Sequence, residues 1–440
     1  MKKQLVSFFV SFIAAGLFTA CQAPTKRIAA AAPKTAEQPL AGPSVLEEKS
    51  SAQAAALTAA KEALDPASRE SVQTPSQAPA PDLSSSGTAL RLVRVLLAEN
   101  ITSASVKHSG RIYIYTQDLR KKFKISAPGT LTLRALKSGQ IQAGSLQAVQ
   151  PIIIEPAKDT TLTWDNNVYT GKLIIWPERK KFSLIEYADL ETYLYGVLPY
   201  EMSHTWPLEA LKAQAVAART YTLKTLETTQ HKPFDVYSDV RSQMYKGGGT
   251  QYESVRTAVD STKNKVLTYE GKLFHTFYHG NCGGATDSVS IWNPSVKAIK
   301  PLDGASCGYD THSKTYQWHM EIPREKIENY AQQSGLSGKL KNIKVARKTR
   351  TGRATNITLQ TSKGSKTMPC NPFRLAAGLR SCKITKIHLQ KRSVSFEGHG
   401  YGHGIGMCQD GAKGMALAGH SYEKILKHYY PGSKLVSLTK

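Results

Sequence analysis

Glu201 lies in the stretch PYEMSHTWP, residues 199–207, with Tyr195, Leu198, Tyr200, Met202 and Trp206 around it. A lone carboxylate among rings and aliphatic groups has its charged form disfavoured, so burial would raise its pKa toward that of a usable proton donor. A second group of chemically capable residues is EGHGYGHGIGMCQDG, residues 397–411, where glycines 398, 400, 402, 404 and 406 alternate with His399, Tyr401, His403, Ile405 and Met407. Period two puts these five side chains on one side if the segment is extended. His399 and His403 would then stand roughly 13 Å apart, too far to share one metal unless the glycines turn the chain. Every frame fails to complete G-x-G-x-x-G, which excludes a dinucleotide loop. A third group, FHTFYHGNCGG at 274–284, supplies His275, His279, Cys282 and the pair Gly283–Gly284. His275 and His279 would share one side of a strand; His279, beside the turn at Gly280, is the better functional candidate.

The cysteines extend this inventory. Besides Cys21 they stand at 282, 307, 370, 382 and 408, and in an oxidising compartment they are disulfide candidates with one left over. Cys370 and Cys382 flank a short helical pattern and are expected to pair. A zinc site from His279, Cys282, Cys307 and Cys408 is chemically possible, although the spacing matches no compact zinc signature. A disulfide plus one free thiol among the last three ranks slightly ahead of it. No other cofactor is expected.

These groups need elements to position them. Residues 89–185 read as short β-branched and aromatic strands separated by turns, and residues 186–436 carry the candidate motifs. TWPLEALKAQAVAARTYTLKTLE is the clearest helix, with Pro207 in its first turn, Ser203 or Thr205 as cap, and alanines that let neighbouring backbone approach closely. Arg219 in its middle could meet a substrate carboxylate or form a structural ion pair. The expectation is an α+β chain: a single β-rich body with a prominent alanine-rich helix lining an active-site cleft, preceded by a disordered tether. Residues 1–21 read as a lipoprotein-type export signal ending at Cys21, the lipidation candidate. Residues 22–88 are rich in Ala, Pro, Ser and Gln and read as the tether, with a typical reach of roughly 45 Å. The formal charge of +25 falls almost wholly on residues 89–440. A cationic exported body implies an anionic partner, such as a cell-wall polymer or membrane surface; export and the lack of any nucleic-acid motif argue against nucleic acid.

Together the stretches YLYGVLPYEM, WPLEALKAQAVAARTYTL, HGNCGG with IWN, FRLAAGLRS, GHGYGHGIGMCQDGA and YYPGS resemble the family of sporulation stage II protein D and the amidase enhancer LytB. They follow the family's order over roughly residues 90–436. The chain departs from the family at Tyr200, Cys282, Cys408 and Asp410, and the cysteines resemble a branch in which some members carry zinc. The resemblance implies peptidoglycan as substrate, with Glu201 as the catalytic acid of a lytic transglycosylase acting on denuded glycan. Such an enzyme needs one acid/base, because the muramic acid 6-hydroxyl attacks its own anomeric carbon; hydrolysis normally takes two carboxylates. Gln214, Arg219, Tyr221, His279, Gly283, Gly284, His399, His403 and Gln409 would then bind the sugar. The alternative is a non-catalytic wall-binding enhancer of an N-acetylmuramoyl-L-alanine amidase. A zinc amidase or peptidase ranks last, lacking H-E-x-x-H.

Overall fold

The computed structural model describes residues 91–249, 252–291 and 298–438. The expected signal, Cys21 and the whole tether lie outside the described residues. Among those described, no helix is long and apolar enough to cross a membrane.

The chain is a mixed α+β protein with several sheets. A seven-stranded sheet runs in the order 236–237, 92–101, 181–189, 172–178, 152–156, 112–116, 122–125, and a six-stranded sheet is built from residues 103–169. The strand Lys181–Asp189 is buried along nearly its whole length, as expected of a central strand covered on both faces. Its end feeds helix α1, Leu190–Glu201, capped by the Asp189 carboxylate, which accepts the amides of Glu191 and Thr192. α1 therefore delivers Glu201 as its last residue.

Helix α2, Leu208–Thr229, follows at once. Pro207 is its N-cap and makes no side-chain bond; Ser203 and Thr205 instead bond each other through their hydroxyls, so the expected side-chain cap is not formed. Ala210, Ala213, Ala215, Ala217 and Ala218 are fully buried. These small side chains let α2 pack closely on α3 (Glu253–Ser261) and the strand Lys265–Tyr269. Buried hydroxyls stitch the contact: the Leu267 amide donates to Thr220 Oγ1, and Thr276 Oγ1 donates to the Ala217 carbonyl. Arg219, fully buried, gives its guanidinium fork to Glu191 at 2.9 and 2.6 Å and donates to the carbonyls of Lys265 and Val259. It has no freedom left to meet a ligand, which decides for the structural ion pair.

Residues 317–399 form a second body with its own core, in which Trp318, Ile327, Ile357, Phe373 and Phe396 are buried. It holds two three-stranded sheets and helices α4 (Arg324–Gln333) and α5 (Cys370–Ala377). Its two ends meet, because Gln317 pairs with His399 and the Gly400 amide donates to the Tyr316 carbonyl. Adjacent ends mark it as an insertion into the larger body. After it come α6 (Gln409–Leu417) and α7 (Tyr422–Tyr429), both against α2.

Replacing Arg219 by Leu leaves Glu191, only 13% exposed, without its partner. Denaturant melts should show a loss of about 3–5 kcal/mol; a change below about 1 kcal/mol would mean the pair is not holding α1 to α2.

Candidate metal centre and the neighbouring polar cluster

The glycine repeat is not a strand. Gly400, Gly402, Gly404 and Gly406 all have positive φ, between 68° and 106°. Side-chain-bearing residues rarely adopt that region, so the alternating glycines coil the segment instead of extending it. At Gly404 a Cβ would stand 2.2 Å from Cζ of Arg353, whose guanidinium binds Asp287 at 2.9 Å and the Cys282 carbonyl at 3.1 Å. The coil splits the two histidines of the repeat. His399 packs edge-on to Tyr316 at 5.2 Å, whereas His403 turns inward to His279, 5.2 Å between ring centres.

His279 sits on a two-residue strand, Tyr278–His279, parallel to Met407–Cys408. Its Nδ1 bonds the Ile405 carbonyl at 3.1 Å, while its Nε2 is buried and has no hydrogen-bond partner. Burial first and His403 next hold its pKa well below the usual imidazole range; burial and the guanidinium of Arg374 push His403 down to about 3. Both rings are neutral at physiological pH. Phe277 links them to Tyr221, which stands 6.1 Å from Phe277. Tyr221, raised to about 12 by burial and by the Glu201 charge, joins Tyr193 and Tyr278 around Glu201. Gln409 Nε2 donates to Gln214 Oε1 at 3.4 Å, leaving the buried Gln214 Nε2 unpartnered. Glu201, Gln214, Tyr221, His279, His403 and Gln409 thus belong to connected elements of one body; His399 and Arg219 are used elsewhere. Glu201 Oε1 accepts the Met244 amide at 2.8 Å.

A separate cluster lies where the chain leaves and re-enters the larger body. Cys282, Cys307, Asp310 and Cys408, all buried, bring their ligand atoms within 4.8 Å of one another. His279 is not in the set: Asp310, three residues after Cys307, takes the fourth place. Of Gly283 and Gly284, both expected to bind substrate, Gly284 bonds this cluster, while the Gly283 amide donates to Asn281 Oδ1 and its carbonyl accepts Lys383 Nζ. The Gly284 amide donates to Asp310 Oδ2 at 3.1 Å and the Gly284 carbonyl accepts the Cys307 amide. The amides of Cys282 and Gly411 donate to Cys408 Sγ at 3.2 and 3.3 Å, Tyr429 Oη lies 3.1 Å from Cys307 Sγ, and Asp310 Oδ1 is buried without a partner. Hydrogen bonds from Cys282 and Cys408 favour the Cys307 thiolate, while burial raises the Asp310 carboxyl. Three sulfurs and one oxygen at this spacing, with amides already aimed at a sulfur, fit a tetrahedral zinc site closed to solvent. Such a metal would tie Cys307 and Asp310, before the insertion, to Cys408, after it.

Cys370 and Cys382 lie apart, buried in the core of the insertion as free thiols in hydrogen-bond contact with each other. The two cysteines that the sequence pairs are thus neighbours in the core of the insertion.

Residues 178–269 match the SpoIID model, stage II sporulation protein, and residues 297–406 match a domain of unknown function, DUF8618. An uncharacterised protein of Brachyspira hyodysenteriae is 34% identical over 277 residues, 62% of this chain and 73% of that one. The amidase enhancer of Bacillus subtilis is 32% identical over 296 residues, 56% of this chain but 40% of its own length. Stage II sporulation protein D of the same organism is 28% identical, over 57% of this chain and 75% of its own. The chain belongs to the SpoIID/LytB amidase-enhancer family. The expectation of a lytic transglycosylase with Glu201 as general acid/base is overturned: the relatives include an amidase enhancer, the conspicuous constellation is a metal-type cluster, and no catalytic Glu is indicated.

Metal analysis of the chain purified under reducing conditions should find one zinc per molecule. Binding should weaken as pH falls, because protons compete for the thiolates, and Cys408→Ser should weaken it at least about tenfold, the worth of a weakened ligand. A disulfide among Cys282, Cys307 and Cys408, with no metal, would refute the site.

Proposed function

We propose that this protein is a non-catalytic cell-wall-binding factor that stimulates an N-acetylmuramoyl-L-alanine amidase acting on peptidoglycan. The observation that carries the reading is the 32% identity to an amidase enhancer over 296 residues, 40% of that protein's length. The polar cluster supports it. Its titratable rings are held neutral by burial, its carboxylate is bonded to a backbone amide, and an unpartnered acceptor at His279 Nε2 and donor at Gln214 Nε2 suit binding of a polar ligand. The formal charge of +25 suits an anionic wall. Gln214, Tyr221, His279, His403 and Gln409 are the residues we assign to glycan contact. Membrane anchoring through Cys21, with residues 22–88 as tether and 89–440 as the wall-active domain, completes the proposal.

The test is a release assay on purified sacculi. The chain alone should liberate no soluble fragments, and added to a wall amidase it should raise the amidase rate several-fold. Muropeptides released by the chain alone, or an amidase rate left unchanged, would defeat the proposal. A second prediction concerns Glu201. Glu201→Gln keeps the acceptor for the Met244 amide and should stimulate like the parent. Glu201→Ala removes it and should lower stability by about 1 kcal/mol. Loss of stimulation in a stable Gln variant would show that the charge itself is required.

A further inference from the structure

The inserted body at 317–399 is far more basic than the rest. It holds seventeen Lys and Arg against four Asp and Glu, so +13 of the chain's +25 falls on these 83 residues, and no Asp occurs between Asp310 and Asp410. None of the four acids belongs to the strands of one sheet, although Glu328 accepts the Leu340 amide at its first strand. Glu321 and Glu397 lie on the sheet of strands 317–323, 383–389 and 393–399, and Glu325 and Glu328 lie on α4. The other sheet, strands Leu340–Lys348, Ala354–Thr361 and Gly364–Pro369, has an inner face of Ile343, Val345, Ile357, Leu359 and Met368 turned to the core. Its outer face follows from the register. Asn342 pairs with Gln360, Lys344 with Thr358 and then Thr367, and Arg347 with Asn356. This is a lawn of amides and hydroxyls beside two cations, without one carboxylate.

Two ordinary explanations fall short. Lysines on an edge strand block edge-to-edge pairing, but the strand Leu340–Lys348 already carries three register shifts that do this. A merely soluble surface mixes both signs, and this one does not. The face is about 10 Å across three strands and about 17 Å from Asn342 to Arg347, the proportions of a groove-free track for one extended polymer chain. Side-chain amides and hydroxyls match sugar hydroxyl and acetamido groups, and the cations match carboxylates.

We infer that the outer face of this sheet is a binding surface for a carboxylate-bearing glycan strand, which makes the insertion the wall-gripping module of the protein. The inference rests on the wall-binding reading above and gives it a second contact, separate from the polar cluster. The experiment is cosedimentation of the full chain with purified sacculi at low and at high salt, comparing the parent with Lys344→Glu/Arg347→Glu and with a control reversal, Lys122→Glu/Lys124→Glu, on the seven-stranded sheet. Reversal on the face should weaken binding at least about tenfold at low salt and flatten its salt dependence, while the control binds like the parent. Thermal melts of each variant check the fold, and Lys344→Gln/Arg347→Gln serves if the reversal fails to fold. Parent-like binding by the face variant, equal loss in the control, or parental binding to anionic lipid vesicles as tight as to sacculi would overturn the inference. In those cases the wall reading stands as long as the parent still binds sacculi. A parent that binds no sacculi at any salt overturns both.

Discussion

Three thiols and a carboxylate packed within 4.8 Å of one another, out of contact with solvent, are the constraint on which the rest of this structure depends. Left as they are, they cannot all ionise, because like charges at that spacing in a buried site repel too strongly. The protein answers with protons shared among sulfurs and amides aimed at Cys408. It thereby holds together three segments that are far apart in sequence. The loop at 280–284, the turn at 307–310 and the start of α6 meet here, and Asn281 adds bonds to the Asp310 carbonyl and to Asp410. The ends of the insertion emerge from the same point, and Arg353 of the insertion reaches back to bind Asp287 and the Cys282 carbonyl.

The polar cluster depends on the same arrangement. Met407 and Cys408 pair with Tyr278 and His279, so the strand that brings Cys408 to the thiol cluster also brings His279 against His403. Gln409, next in sequence, bonds Gln214 on α2. Glu201 is the last residue of α1 and accepts the Met244 amide, while the ion pair of Arg219 with Glu191 joins α1 to α2.

Much of this is visible in the sequence, for physical reasons that differ from residue to residue. The alanine-rich stretch at 208–229 reads as a helix because its propensity and its packing requirement agree. The strands before residue 190 read as strands because β-branched runs between turn residues leave few alternatives. Glu201 is found, but its surroundings in sequence are read as an apolar niche, and the amide of Met244, 43 residues on, is invisible at that stage. The glycine repeat misleads through its period: alternation suggests a strand, whereas four positive φ values make a coil. His279 is drawn into the metal set by its closeness to Cys282 in sequence, yet the strand direction aims its ring at the Ile405 carbonyl. Asp310 is missed, although a carboxylate three residues after Cys307 was the available signal. The pairing of Cys370 with Cys382 is legible as proximity alone.

Amide hydrogen exchange of the metal-loaded and chelator-treated protein tests most directly whether the cluster holds these segments together. Protection at Gly283, Gly284 and Gly411 should fall on metal removal, together with protection at the insertion ends around Tyr316 and Gly400, while the strand Lys181–Asp189 stays unchanged. Unaltered exchange at all of these glycines after complete metal removal would contradict the account.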